Sequence, residues 1–150
     1  MTTMNMVQER LSEIVRSRAR SEIADRELQR AVHAARAAGA TQIEIAKQLA
    51  VSQAAISKRL AQAEPLDGDD SPYDIALRYA AGDVPREEMI AKLTAFDYRP
   101  ATQSPAYDEP FVDVSGSLDE LVRALDRGFL SEEDYDEILR GRSAADDSNP

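Results

Sequence analysis

The chain has 150 residues, 43% hydrophobic and 31% charged, a balance that allows one packed domain or two small ones and argues against wholesale disorder. It contains no cysteine and a single histidine, His33, which excludes disulfide frameworks, thiolate chemistry and zinc sites built on several imidazoles. The net charge of −10 is unevenly spread: residues 1–63 hold ten Lys and Arg against six Asp and Glu, whereas residues 64–150 hold eight against twenty-two. A basic part can face phosphates and an acidic part is repelled by them, so the two are expected to do different jobs. No apolar run nears the ~18 residues of a membrane span. The start lacks the basic-then-apolar pattern of a secretory leader. The expected location is therefore the cytoplasm, without a membrane partner.

Residues 3–38 read as helix. Val7, Leu11, Ile14 and Val15 share one face, and Leu28, Ala31, Val32 and Ala35 repeat the spacing. The polar, basic stretch Arg16–Ser21 between them is either a kink or an exposed part of one long helix. The face of Val7, Leu11, Ile14 and Val15 suits a dimer seam and suits packing on the chain's own helices equally well. Gly39 is a helix stop. Thr41 and Glu44 form a T-x-x-E capping box that opens the next helix, with Ile45, Ala46 and Leu49 inward. The pattern breaks at Ala50–Val51. Ser52 then caps a helix that runs to about Ala63, with Ile56 and Leu60 inward.

A Pro- and Gly-containing acidic linker covers residues 65–71, setting an N-terminal region of 1–64 apart from an acidic region of 72–141. Pro72 starts a short helix that Gly82 ends, and Pro85 starts another reaching about Phe96. Residues 98–116 hold three prolines and no sustained period, so they read as a long loop. Ser117 and Glu120 form a second capping box, with Leu118, Leu121, Val122 and Leu125 on one face, and Gly128 stops that helix. Ser131 caps the last one, expected to end near Gly141, with 142–150 a polar tail. A shift of 46 positions superimposes residues 73–93 on 119–139: Ile75 meets Leu121, Gly82 meets Gly128, Val84 meets Leu130 and Leu93 meets Leu139. Both halves read as αα-hairpins, from duplication or from a shared hairpin grammar. No strand pattern appears, so the expected fold is all-α.

The segment Gln42–Leu60, QIEIAKQLAVSQAAISKRL, has a specific logic. A small residue, Ala46, suits the close crossing of two short helices. Val51 is expected to plug the turn into the core, and Ile56 to anchor the second helix. Gln53, Ala54, Ser57 and Lys58 then point outward near the start of that helix, beside Ser52. The segment (41–62) resembles the helix-turn-helix of Cro-like and repressor-like bacterial regulators, and departs from them at Ala50, where a Gly is usual. The resemblance implies that this end of the second helix enters a DNA major groove and that the protein is a dimeric operator-binding regulator. Gln53 suits adenine, Ala54 a thymine methyl, and Ser52 and Ser57 either donors or acceptors. Lys58 and Arg59 suit phosphates or a guanine edge. Thr41 and Gln42, at the first helix start, suit a phosphate oxygen.

The remaining residues point away from catalysis. His33 reads as a helical surface or boundary residue. The acidic runs at Glu87–Glu88 and Glu132–Asp134 fall in first helical turns, where the macrodipole favours them. Residues 67–70, D-G-D-D, lack the rest of a calcium loop. No nucleophile triad or phosphate-cradling glycine motif can be assembled, so neither an enzyme nor a cofactor nor a metal is expected. Tyr98, Tyr107, Phe111 and Val112, set among Asp108, Glu109 and Asp113, suit aromatic anchors for a basic protein partner, and equally suit a plain linker. A basic DNA reader joined to an acidic partner-binding half is similar in layout to antitoxins, whose partner is a toxin. The rival expectation is a helical adaptor that binds a basic protein through its acidic half and never touches DNA.

Overall fold

The computed structural model describes residues 2–63, 71–99 and 116–147. The described residues form seven α-helices and no strand: α1 (Thr2–Ala37), α2 (Gln42–Leu49), α3 (Gln53–Ala61), α4 (Pro72–Ala81), α5 (Arg86–Ala95), α6 (Asp119–Asp126) and α7 (Glu132–Asp147). The fold is all-α, and no helix among the described residues is long and apolar enough to cross a membrane. Arg99 and Ser117 form an isolated bridge, with the Arg99 N–H donating to the Gly116 carbonyl at 2.9 Å. Residues 65–70 of the expected linker and 100–115 of the expected loop, including Tyr107, Phe111 and Val112, lie outside the described residues.

α1 is helical through Arg16–Ser21, so the polar stretch is part of one helix and not a break between two. Packing divides the chain into two units. Residues 22–63 form one, and residues 2–21 group with α4–α7 in the other. The division thus falls inside α1, after Ser21, as well as in the expected linker, between Leu66 and Asp67. Ala19 is completely buried, and Arg18 holds the same helix to the α6–α7 turn. Its Nη2 donates to the Arg127 carbonyl at 3.0 Å and its guanidinium lies 4.9 Å from the Phe129 ring centre.

In the unit of residues 22–63, Val32 of α1, Ile45 and Ala46 of α2 and Ile56 of α3 form the core, with Ala35, Ala40, Leu49 and Leu60 packed around it. α2 opens with the full Thr41–Glu44 capping box, and the Ser52 hydroxyl accepts the Ala55 N–H at 3.2 Å to start α3. α2 ends with a Schellman closure: the Ala50 N–H donates to Lys47 and the Val51 N–H to Ala46. α1, α4 and α6 end on the same pair of bonds with Gly39, Gly82 and Gly128 at the left-handed position, whereas α2 places Ala50 there, at φ 57 and ψ 42. Alanine pays about 1–2 kcal/mol for that conformation. Ala50→Gly, less the entropy a glycine adds to the unfolded chain, is expected to stabilise this unit by about 1 kcal/mol or less, read by urea denaturation. The same closure corrects one expectation. Val51 does not plug the core but is 42% exposed, because its N–H folds back onto α2 and leaves its side chain outside.

In the other unit α4 packs on α6 and α5 on α7, while α4–α5 and α6–α7 form the two hairpins. The shift of 46 holds at the level of single hydrogen bonds. Gly82 to Tyr79 and Asp83 to Arg78 recur as Gly128 to Leu125 and Phe129 to Ala124, and Met89 to Pro85 recurs as Tyr135 to Ser131. Tyr73, Leu77, Met89, Leu93, Leu121 and Ile138 fill the core. The start of α5 is tied to the start of α7 by Arg86, whose Nε lies 2.8 Å from buried Asp134 and whose Nη2 lies 2.6 Å from Glu137.

Three local expectations change here. Ser117 and Glu120 do not form a capping box. α6 has Leu118 at its cap position with no side-chain cap, and the buried Glu120 carboxylate instead accepts the N–H groups of Tyr73, at the start of α4, and Gly116. Val122 is exposed, and Ala124 takes the buried place beside Leu121. α7 does not stop at Gly141 but continues to Asp147. Gly141 is a contact point: a Cβ there would lie 2.8 Å from Thr94 Cγ2. Close packing of α7 on α5 outweighs the roughly 1 kcal/mol that a mid-helix glycine costs.

Candidate nucleic-acid interface

α3 is nine residues long and its orientation is set from below. Ile56 is completely buried and Leu60 is half-buried. By the 100° step of a helix, the residues flanking Ile56 must then turn outward. Gln53, Ala54, Ser57 and Lys58 are all exposed, and their spacing lines them along one side of α3 from its N-terminal end. Ser52 is exposed beside them, its oxygen engaged in the cap. The surface so formed is small, polar and almost uncharged, with one cation at its far end.

The back of α3 is held by a polar network that sequence reasoning missed. Gln29, buried in α1, donates through Nε2 to the Arg59 carbonyl at 2.6 Å and accepts from Arg59 Nη1 at 3.3 Å. Arg59 Nη2 reaches Asp25 at 3.3 Å. His33 Nε2 lies 3.0 Å from the Gln62 carbonyl. These bonds occupy carbonyls at the C-terminal end of α3, which a helix leaves without internal partners. The legible signal was the pair Asp25 and Gln29, polar residues four apart on a face otherwise built from Leu28 and Val32. His33 is half-buried, as a boundary residue would be.

The network engages Arg59, one of the expected contact residues, within the module, its guanidinium turned to α1. Thr41 is also spent inside the module. Glu44 Oε1 accepts its N–H at 3.2 Å and its hydroxyl at 2.9 Å, so a carboxylate already occupies the N-terminus of α2 where a phosphate was expected. Those two hydrogen bonds hold the Glu44 carboxyl below its usual pKa. Gln42 is half-buried on the same turn. A shallow apolar groove lies between α1 and α2, lined by Leu28, Ala31, Ala35, Ala40, Ile45 and Leu49. No residue of α3 lines it.

Tyr98, expected as a partner anchor, closes on its own chain. Its hydroxyl donates to the Leu93 carbonyl at 2.6 Å, its ring meets Phe96 edge-on, and the Arg142 guanidinium lies 4.3 Å from its centre. Burial pushes its hydroxyl pKa upward. Among the described residues, no group of three or more His, Asp or Glu is placed to hold a metal ion. No protein-family model matches the chain, and no characterised protein or solved structure matches it either.

Proposed function

We propose that residues 22–63 are a helix-turn-helix DNA-binding module and that the protein is a transcriptional regulator acting on double-stranded DNA. One observation carries the reading: Ile56 is completely buried while Gln53, Ala54, Ser57 and Lys58, on the other side of α3, are exposed. A major groove admits a helix whose outward residues are short enough to approach base edges and polar enough to bond them. Gln53 can pair with adenine N6 and N7, Ala54 can touch a thymine methyl, and Ser57 can give or accept a hydrogen bond. The fixed network of Asp25, Gln29 and Arg59 supports this role by holding α3 at one rotation.

The charge distribution also bears on affinity. With Arg59 turned inward, Lys58 is the cation α3 itself offers outward, so α3 by itself neutralises few phosphates, and one module buries little surface on its own. Two modules on two half-sites supply what one lacks, and the proposed regulator acts as a dimer. In the other unit, α5 and α7 both open on acidic turns, with Glu87 and Glu88 exposed in one and Glu132 and Glu133 in the other. That favours a basic protein as its partner. It also sustains the second reading, an adaptor without DNA binding.

Titration of the full chain onto a duplex selected from a random pool separates the two. The regulator loses affinity in proportion to the logarithm of salt concentration, with a shallow slope set by its few phosphate contacts. Gln53→Ala is expected to lose about 1–3 kcal/mol on the selected duplex and much less on unrelated duplexes. Equal losses on every duplex would assign Gln53 to backbone positioning. No binding of the wild type to any duplex at low salt would leave the adaptor.

A further inference from the structure

The N-terminal part of α1 carries an apolar face that the fold leaves uncovered. Met4, Val7, Leu11 and Ile14 are 82%, 55%, 51% and 58% exposed. Val15, which shares their face by simple periodicity, is half-buried and belongs to the packed side. The exposed four are spaced by three, four and three residues. This is the a–d–a–d order of a helix seam that meets another helix, narrower than the face a helix lays on a globular core. Among the described residues, none of the chain's own helices covers these four side chains.

We infer that this face seats the same face of a second copy of the chain, forming the dimer on which the two-half-site reading rests. The flanks argue for a like partner. Gln8 and Val15 border the seam on one side and Arg10 and Ser17 on the other, so Arg10 is the single charge. It lies 3.0 Å from Glu13 of its own helix. Flanks of one sign repel a second copy and encode an oppositely charged partner, whereas neutral flanks permit self-pairing. A lipid surface is a poor match, because from Met4 to Ile14 the helix carries Arg10 against Glu9 and Glu13 and so has no net positive charge for anionic headgroups. The seam is about 15 Å long at 1.5 Å per residue. That is short of the ~800 Å² per partner that a standard interface buries. The dimer is therefore weak in free solution and strengthened when two modules share one DNA.

Light scattering or sedimentation of the full chain without DNA tests this, so a failure of DNA binding leaves the inference intact. The mass of the wild type is expected to rise from monomer to dimer across a series from low micromolar to submillimolar. Leu11→Glu should weaken the dimer by on the order of a hundredfold, since it removes the same side chain from both copies. Leu11→Met should restore it. Because Leu11 is exposed, helicity by circular dichroism should be unchanged in both. A wild type that stays monomeric throughout, or a dimer that survives Leu11→Glu and Ile14→Glu alike, overturns the inference. So does a monomer that binds anionic vesicles through this face, which would give it to a membrane.

Discussion

Ile56→Ala is expected to cost about 2–5 kcal/mol and to unfold residues 22–63 without unfolding α4–α7. The cavity would open in a core whose other buried members are Val32, Ile45 and Ala46, too few to close around it. A unit of this size has little stability to spare. Amide exchange provides the readout. Protection should fall across α2, α3 and the second half of α1, and persist in α4–α7, whose core is built from Tyr73, Leu77, Met89 and Leu93. DNA affinity should fall with it, because the outward setting of Gln53 and Ser57 depends on the inward setting of Ile56. Loss of protection in both units together would show that they fold as one cooperative body.

Gly141→Ala is expected to destabilise the other unit by about 1–3 kcal/mol, although alanine is the better helix former. The added methyl would lie 2.8 Å from Thr94 Cγ2 and 3.3 Å from Thr94 Oγ1, forcing α5 and α7 apart. Thr94→Ser removes the closer atom. In that background Gly141→Ala should be far less costly, since the propensity gain of about 1 kcal/mol remains and only the longer contact to the hydroxyl oxygen, at 3.3 Å, is left. A double-mutant cycle by denaturant unfolding measures the coupling directly. Absence of coupling would mean that the helices yield without cost and that Gly141 is there for another reason.

Local signals were legible in the sequence where they depend on adjacent residues. The Thr41–Glu44 box, the Ser52 cap and the stops at Gly39, Gly82 and Gly128 lie within a residue or two of where the sequence places them. The hairpin repeat was legible too, and it holds down to matched hydrogen bonds. The same reasoning failed where a distant residue competes. Glu120 was read as a cap for its own helix, but the N–H groups of Tyr73, at the start of α4, and of Gly116 take its carboxylate. Gly141 was read as a stop, but Thr94 makes it a packing point. Arg59 was read as a DNA contact, but Asp25 and Gln29, about thirty residues away, hold it. Tyr98 was read as an anchor for a partner, but the Leu93 carbonyl and Arg142 engage it.

Backbone propensity and periodicity, which act over one or two turns, were enough to read this chain as helical, to place the stops at Gly39, Gly82 and Gly128 and to tell which side of α3 is apolar. They did not settle which half of α1 joins which unit, because Ala19 and Val32 look alike as small or branched apolar residues on one helix. The grouping of residues 2–21, buried Ala19 among them, with α4–α7 and the packing of Val32 with Ile45 and Ile56 are properties of the packed chain. The same packing leaves Met4, Val7, Leu11 and Ile14 uncovered, which no pattern could reveal, since an apolar stripe is written identically whether its cover comes from the same chain or from another.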